Sequence, residues 1–288
     1  MLGHKLWQTL RPRFDTWVTL RSRLAAFTHL DLYDPARTID DVDAERPDAL
    51  GRALSLARPH VVVNCIGVVK QRPEAKDPIV TITVNALLPH RLAALCRTSG
   101  ARLIHISTDC VFSGKTGRYT ESDTPDAEDL YGRSKLLGEP HVADATALTL
   151  RTSIVGRELQ TASGVTEWFL SNRAGRVPGF TSALFSGLTT LALSEVVARL
   201  IGSGRTLSGL YHVSAAPISK YELLQRLNAA YRANIEIMPS EALTIDRSLE
   251  SRRFWRDAGF APPGWDEMMA AAAADPTPYD EWRAKHVS

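Results

Sequence analysis

Residues 101–114 read ARLIHISTDCVFSG. The segment Leu103–Ile106 is β-rich and apolar, and it stops at the polar triplet Ser107-Thr108-Asp109. Near-continuous apolar runs fit parallel strands buried on both faces of a sheet. In open sheets of that kind, ligands bind beyond the carboxyl ends of the strands. The triplet therefore marks a candidate site as well as a strand end.

Working outward, the same pattern recurs. RPHVVVNCIG carries Val61–Val63 and ends in Asn64-Cys65-Ile66-Gly67. ALTLRTSIVG supplies a third strand around Leu148 to Val155, Trp17–Leu20 a short one, and Leu210–Ser214 another. Helical stretches lie between them: Pro47–Ala57, about Ile79 to Ser99 with Gly100 as its stop, and Thr189–Ile201. The opening MLGHKLWQTL is amphipathic, with Leu2, Leu6 and Leu10 on one face. Strands alternating with helices predict an α/β sheet. Residues 156–186 are loop-rich, and the chain after residue 214 is read as helical with Pro-rich breaks.

Composition narrows the function classes. The 288 residues are 44% apolar and 23% charged with a formal charge of +2, the mixture of an ordinary globular protein. Interspersed charge of both signs gives no basis for a nucleic-acid or membrane-surface partner. Cys65, Cys96 and Cys110 lack the spacing of a disulfide framework or zinc site, so no metal is expected. No run of the roughly 18–20 apolar residues of a membrane span and no signal-peptide core is read, which makes the cytoplasm the expected location.

The chemistry centres on Tyr131-Gly132-Arg133-Ser134-Lys135. Tyrosine and lysine four apart on a helix share a face. An ammonium close to a phenol lowers its pKa from about 10 and makes it a usable acid near neutrality. The strand-end hydroxyl of Thr108 can hold a carbonyl oxygen beside it. The small residues after Val63 let a nucleotide approach the backbone at Asn64.

These segments resemble an extended short-chain dehydrogenase/reductase of the dTDP-4-dehydrorhamnose reductase-like sugar-nucleotide reductase family. STDCVFSG is similar to that family's STDYVF-G, LYGRSKLLGE to its YGKSKLAGE, LTLRTSIVGRE to its lRTS-vyG strand, and SLESRRF to its SrLdt-kf segment. The resemblance implies a Rossmann-type doubly wound parallel sheet with a smaller C-terminal substrate-binding part. Residues 1–155 form the NADP-binding region, 187–214 return to it, and 156–186 with 215–288 bind substrate. It implies Thr108, Tyr131 and Lys135 as catalytic residues. Tyr131 protonates the C4 keto oxygen, Thr108 orients it, and Lys135 tunes Tyr131 and holds the nicotinamide ribose. Asn64, Cys65 and Gly67 lie along the cofactor, and Asn85 sits on the helix behind the site. Cys110 departs from the family's tyrosine.

MLGHKL resembles the end of the family's GATGMLGHKL, so Gly3 takes the place of the third glycine of G-x-x-G-x-x-G. The preceding strand and first two glycines, which cradle the pyrophosphate, are absent from the sequence. We expect Met1 to be an internal methionine and the true start to lie upstream; a truncated inactive product is the rival. Arg21 and Ser22 follow the Trp17–Leu20 strand where an NAD enzyme carries an acid, and suit a 2′-phosphate. The expected cofactor is NADP(H), with NAD(H) second. Substrate candidates are Thr108, Asp109, Trp168, Arg247 and Ser248, with Phe185, Ser186, Thr189 and Arg253 behind them. The partner expected is a nucleotide sugar, with a homodimer open. A sugar-nucleotide epimerase and a non-catalytic nucleotide-binding regulatory subunit are the alternatives.

Overall fold

The structure is a computed structural model and describes residues 1–287. Helix α1 (Leu2–Leu10) opens the chain as its periodicity requires. Strand β1 (Val18–Thr19) falls inside the expected segment and pairs in parallel with β2 (Thr38–Ile39). Helix α2 (Pro47–Ala57) starts on a proline, whose missing N–H is harmless in a first turn. Strand β3 (Val61–Asn64) follows. Helix α3 (Pro78–Ile82) runs through a π-helical turn, Thr83–Leu87, into α4 (Leu88–Ser99), which Gly100 closes at positive φ. Next come β4 (Arg102–Thr108), α5 (Leu130–Leu137), β5 (Ala147–Thr152) and β6 (Ile154–Val155).

The second half holds α6 (Val165–Leu170), β7 (Arg176–Phe180), β8 (Ala183–Phe185), β9 (Leu188–Thr189), α7 (Thr190–Gly202), β10 (Gly209–His212), β11 (Ile218–Ser219), α8 (Lys220–Tyr231), β12 (Glu236–Ser240) and β13 (Ile245–Asp246). Helices α9 (Arg252–Ala258), α10 (Trp265–Ala273) and α11 (Tyr279–Val287) complete the described chain. The stretch after residue 214 thus contains three strands where helix with Pro-rich breaks is expected. Strands β11 and β13 have two residues each, too few to show a period of two, and β12 carries Pro239.

The main sheet has the order β10-β5-β4-β3 with every pair parallel. Strand β10 returns to it beside β5. Strands β1 and β2 form a separate parallel pair. Among the described residues nothing pairs with β3 on the side away from β4, or with β1 on the side away from β2.

Both faces of the main sheet are covered, which explains the unbroken apolar runs. Ile104, Leu148 and Leu150 pack with Leu2, Leu6 and Leu10 of α1 and with Leu193, Val196 and Val197 of α7. On the opposite face, Leu103 and Ala147 pack with Leu50 of α2 and with Leu88, Leu92 and Cys96 of α4. Each buried leucine or isoleucine contributes about 1.5–3 kcal/mol. The continuous helix Pro78–Ser99 is, contrary to the sequence reading, long and apolar enough to cross a membrane by length and composition alone. Its apolarity has a fold-internal cause, since Val84, Leu88, Leu92 and Cys96 line the core.

The face of α1 turned from the sheet is polar but buried. His4 Nε2 meets the Tyr279 hydroxyl at 2.8 Å, and Lys5 pairs with Asp275 and donates to Thr277 Oγ1 at 3.1 Å. Trp7 packs with Leu30, Leu32 and Trp282. The C-terminal segment therefore clasps the first helix.

Candidate active site

Strand β4 ends at Thr108 and runs into a single 3₁₀ turn, Asp109–Val111. Thr108 Oγ1 caps this turn by accepting from the Cys110 N–H at 3.1 Å, and its hydroxyl donates to Asp109 Oδ1 at 3.1 Å. Helix α5 begins on Asp129, whose carboxylate accepts from the Gly132 N–H at 2.8 Å. Tyr131 and Lys135 lie one turn apart on it. The Thr108 side chain lies close enough to the Tyr131 phenol to favour its ionised form, so strand end and helix converge.

Glycine 132 makes that convergence sterically feasible. A Cβ there would sit 2.7 Å from Ala127 Cβ and closer still to the Cys110 carbonyl oxygen. The helix thus lies directly on the 3₁₀ turn. Behind it, Asn85 donates from Nδ2 to Val68 O at 2.9 Å and to Ser134 Oγ at 3.2 Å, while its Oδ1 accepts from Val68 N at 2.9 Å. Asn85 therefore ties the loop after β3 to the tyrosine helix.

The electrostatics correct one expectation. Burial pushes the Tyr131 phenol well above its ordinary range, and the neighbouring Cys110 and Asp109 push it the same way. The Lys135 ammonium donates to Ile106 O of β4 at 2.8 Å. Burial brings Lys135 itself down to about 8, with Glu139 acting in the opposite sense. Lys70 stands over the phenol ring, 5.6 Å from its centroid, and is paired with Asp129 at 2.5 Å. Asp109 is held above the ordinary carboxylate value by burial, while Lys220 and Arg247 oppose the shift.

Beneath the strand ends lies a buried ion pair, Glu139 with Arg151, that no spacing or motif announces. Glu139 accepts from Arg151 Nη2 at 2.7 Å and Nε at 2.8 Å, and from Ser107 Oγ at 2.7 Å. Asn64 is buried, contacts His105 Nδ1 at 3.1 Å and accepts from Ile66 N at 3.1 Å, so it shapes the turn at the end of β3. Cys65 is exposed there, and a Cβ on Gly3 of α1 would lie 3.3 Å from its Sγ. Gly67 lies against Asn85. Arg21 and Ser22 are exposed in the turn after β1.

The substrate candidates separate into two groups. Asp109 and Arg247 stand together at the end of β4, and Arg247 donates from Nε to Phe112 O at 3.0 Å. With Cys110, Phe112, Lys115 and Asp129, Arg247 lines a cavity of about 310 Å³. Ser248 is buried and accepts from Arg118 N at 2.9 Å, joining two loops. Ser186 accepts from Leu249 N and Thr189 caps α7, so their polar groups are engaged within the fold. Trp168 is exposed on α6, and Arg253 stacks on Tyr211. Lys220, absent from the sequence candidates, faces Asp109. A lysine in the first turn after the Ser219–Glu222 capping box was the available signal, because a cation is disfavoured at a helix N-terminus.

The family described as the RmlD substrate binding domain matches residues 17–249. The chain belongs to this family. Two relatives of the RmlD-type chain carry names that bear on function. A probable low-salt glycan biosynthesis reductase, Agl14, of Haloferax volcanii is 34% identical over 63% of this chain and 61% of its own length. A dTDP-4-dehydrorhamnose reductase of Burkholderia thailandensis is 32% identical over 67% of this chain and 69% of its own. The matched segment thus spans about two thirds of these relatives. Among solved structures, a dTDP-4-dehydrorhamnose reductase of Bacillus anthracis in complex with NADP superposes with a TM-score of 0.72. It covers 90% of this chain and 99% of its own at 20% identity, which establishes the Rossmann-type fold.

Proposed function

We propose that this RmlD-family chain reduces, with NADPH, the C4 keto group of a nucleotide-linked 4-keto-6-deoxy sugar, in the cytoplasmic synthesis of deoxysugar or polysaccharide precursors. The observation that carries the reading is the meeting of Tyr131 and Thr108 at the carboxyl end of β4, with Lys135 one turn further along α5. The names of the relatives support the substrate class.

The residues present suit the nicotinamide end of the cofactor. Lys135 is a buried ammonium with one protein acceptor, Ile106 O, and its remaining donors can take ribose hydroxyls. Gly3 of α1 lies against Cys65, and Gly67 against Asn85, so the loop after β3 would offer the cofactor a surface of small residues. Arg21 and Ser22, exposed in the turn after β1, would take a 2′-phosphate, Arg21 turning from Glu45 3.9 Å away. When bound, NADPH supplies hydride to the carbonyl carbon.

Tyr131 donates the matching proton to the carbonyl oxygen. Its raised pKa keeps the phenol protonated until the oxygen gains negative charge, as a proton donor requires. Thr108 turns its hydroxyl from Asp109 to the same oxygen and fixes its direction. The test is turnover of dTDP-4-dehydrorhamnose with NADPH and with NADH by the purified chain. Turnover that favours NADPH is expected. A folded chain that binds NADPH and turns over no 4-keto sugar nucleotide overturns the proposal.

A further inference from the structure

Lys220 lies in the first turn of α8, with its ammonium 3.8 Å from the centroid of the Phe185 ring. Among the described residues it has no hydrogen-bond acceptor and no carboxylate at ion-pair distance. The adjacent Glu222 is occupied by the capping box with Ser219. Ser219 and Asp246 both pair with Leu184 of β8, and Arg247 N donates to Leu184 O at 3.1 Å, so the sheet brings Lys220 and Arg247 to the same strand; the charges Lys220 faces are Asp109 and Arg247. Arg247 also lacks a carboxylate partner, since its guanidinium donates to the Phe112 carbonyl. Arg247 also faces Asp129, but Lys70 already pairs with that carboxylate, so the end of β4 holds Lys220 and Arg247 against Asp109 alone and keeps a net positive charge. The N-terminus of α8, itself a positive pole, adds to it. An ammonium at that pole without a counter-charge is unfavourable unless a further anion completes the group.

We propose that Lys220, together with Arg247, forms a subsite for an anionic oxyacid group of the bound nucleotide sugar, and that Lys220 is a specificity-determining residue. This rests on the reductase reading for the substrate class. The anion has two sources in such a molecule: the diphosphate, or a carboxylate carried on the sugar ring. Asp109 and Cys110 directly follow Thr108, so the subsite adjoins the sugar.

The experiment is calorimetric binding to the full chain of UDP-glucose, UDP-glucuronate, dTDP, dTMP and inorganic pyrophosphate, with Lys220→Met and Lys220→Arg beside the wild type. Lys220→Met keeps the stem on Phe185 and removes the charge. It is expected to lose about 10- to 100-fold in affinity, the scale of a hydrogen bond to a charged group, whereas Lys220→Arg stays within a few-fold. If the sugar carries the anion, UDP-glucuronate binds more tightly than UDP-glucose and its arm alone falls. If the diphosphate is held, dTDP exceeds dTMP, and dTDP, pyrophosphate and both UDP-sugars fall. Should Lys220→Met not fold, Arg247→Met is expected to show the same loss. Equal affinity of wild type and folded variant for every probe overturns the subsite, as does a wild type that binds no anionic probe. Lys220-dependent pyrophosphate binding in a chain with no ketoreductase turnover would retain the subsite and reject the reductase reading.

Discussion

Gly132→Ala tests whether the contact of α5 with the turn after β4 sets the catalytic geometry. The added methyl would sit 2.7 Å from Ala127 Cβ and nearer to the Cys110 carbonyl oxygen, against an ordinary contact of 3.4 Å or more. Neither neighbour is the end of a flexible side chain, so the helix must retreat by on the order of 1 Å. Overpacking of this kind costs about 1–3 kcal/mol, and Ala's better helix propensity returns up to about 1 kcal/mol. The larger effect falls on the reaction. Tyr131 adjoins Gly132 and moves with it, away from Thr108. A misplacement of about 1 Å can lower the rate about 10²-fold. Steady-state kcat on a 4-keto sugar nucleotide and urea unfolding of the same protein separate the two effects. Wild-type kcat with an unchanged urea midpoint would show that the glycine is not what brings tyrosine and threonine together.

Tyr131→Phe removes the proton donor and is expected to lower kcat about 10²–10⁴-fold with NADPH affinity largely kept; full turnover would exclude Tyr131 from that role. Lys135 titrates at about 8, below its ordinary 10.5, so NADPH affinity should weaken as pH rises through about 8, and a profile unchanged by Lys135→Met would oppose this. Between those two values the folded state binds fewer protons than the unfolded chain, so Lys135 makes stability rise with pH there. His4 and His212 are buried, with pKa values lowered to about 2 and about 4 from 6.5. Below pH 6.5 the unfolded chain takes up protons that both imidazoles refuse, so stability falls on acidification, by up to about 1.4 kcal/mol per pH unit for each. Equal urea midpoints at neutral pH and about pH 5 would contradict it. Ser107→Ala should cost about 1.5–3 kcal/mol through the lost bond to Glu139 with kcat nearly kept, whereas Thr108→Val should lower kcat about 10²–10³-fold at smaller cost in stability; the reverse pattern would refute their division of labour.

The parts of the fold legible in the sequence were those whose physics is local or repeated. Leu103–Ile106 and Val61–Val63 announce strands because both faces of the sheet are covered. Helix α2 and the Pro78–Ser99 helix carry their own start and stop residues. The two residues of β2, and β11 and β13 after the substrate segment, owe their pairing to distant partners and have no period of their own. The site divided in the same way. The spacing of Tyr131 and Lys135 was readable, but the direction of the Lys135 ammonium was not. It follows from the Ile106 carbonyl, which the sheet places beneath the helix. Glu139 and Arg151 stand in two different segments, and only the fold buries them together.

Three consecutive residues, Ser107, Thr108 and Asp109, show how one strand end serves three purposes. Strand alternation sends Ser107 and Thr108 to opposite faces. Ser107 turns down to the Glu139–Arg151 pair and fixes the strand to β5. Thr108 turns toward Tyr131 and caps the turn that follows. That turn breaks the alternation and swings Asp109 toward Lys220 and Arg247. The buried pair is neutral as a unit, so it anchors the strand while adding little net charge beneath the phenol. The charge that does bias the site lies on the far side of Asp109, where a substrate can meet it. Anchoring, proton donation and substrate charge recognition thus meet within one short segment, and Asp109 couples the last two: it accepts from Thr108 and pushes the Tyr131 phenol up, so a substitution at Asp109 is expected to move both.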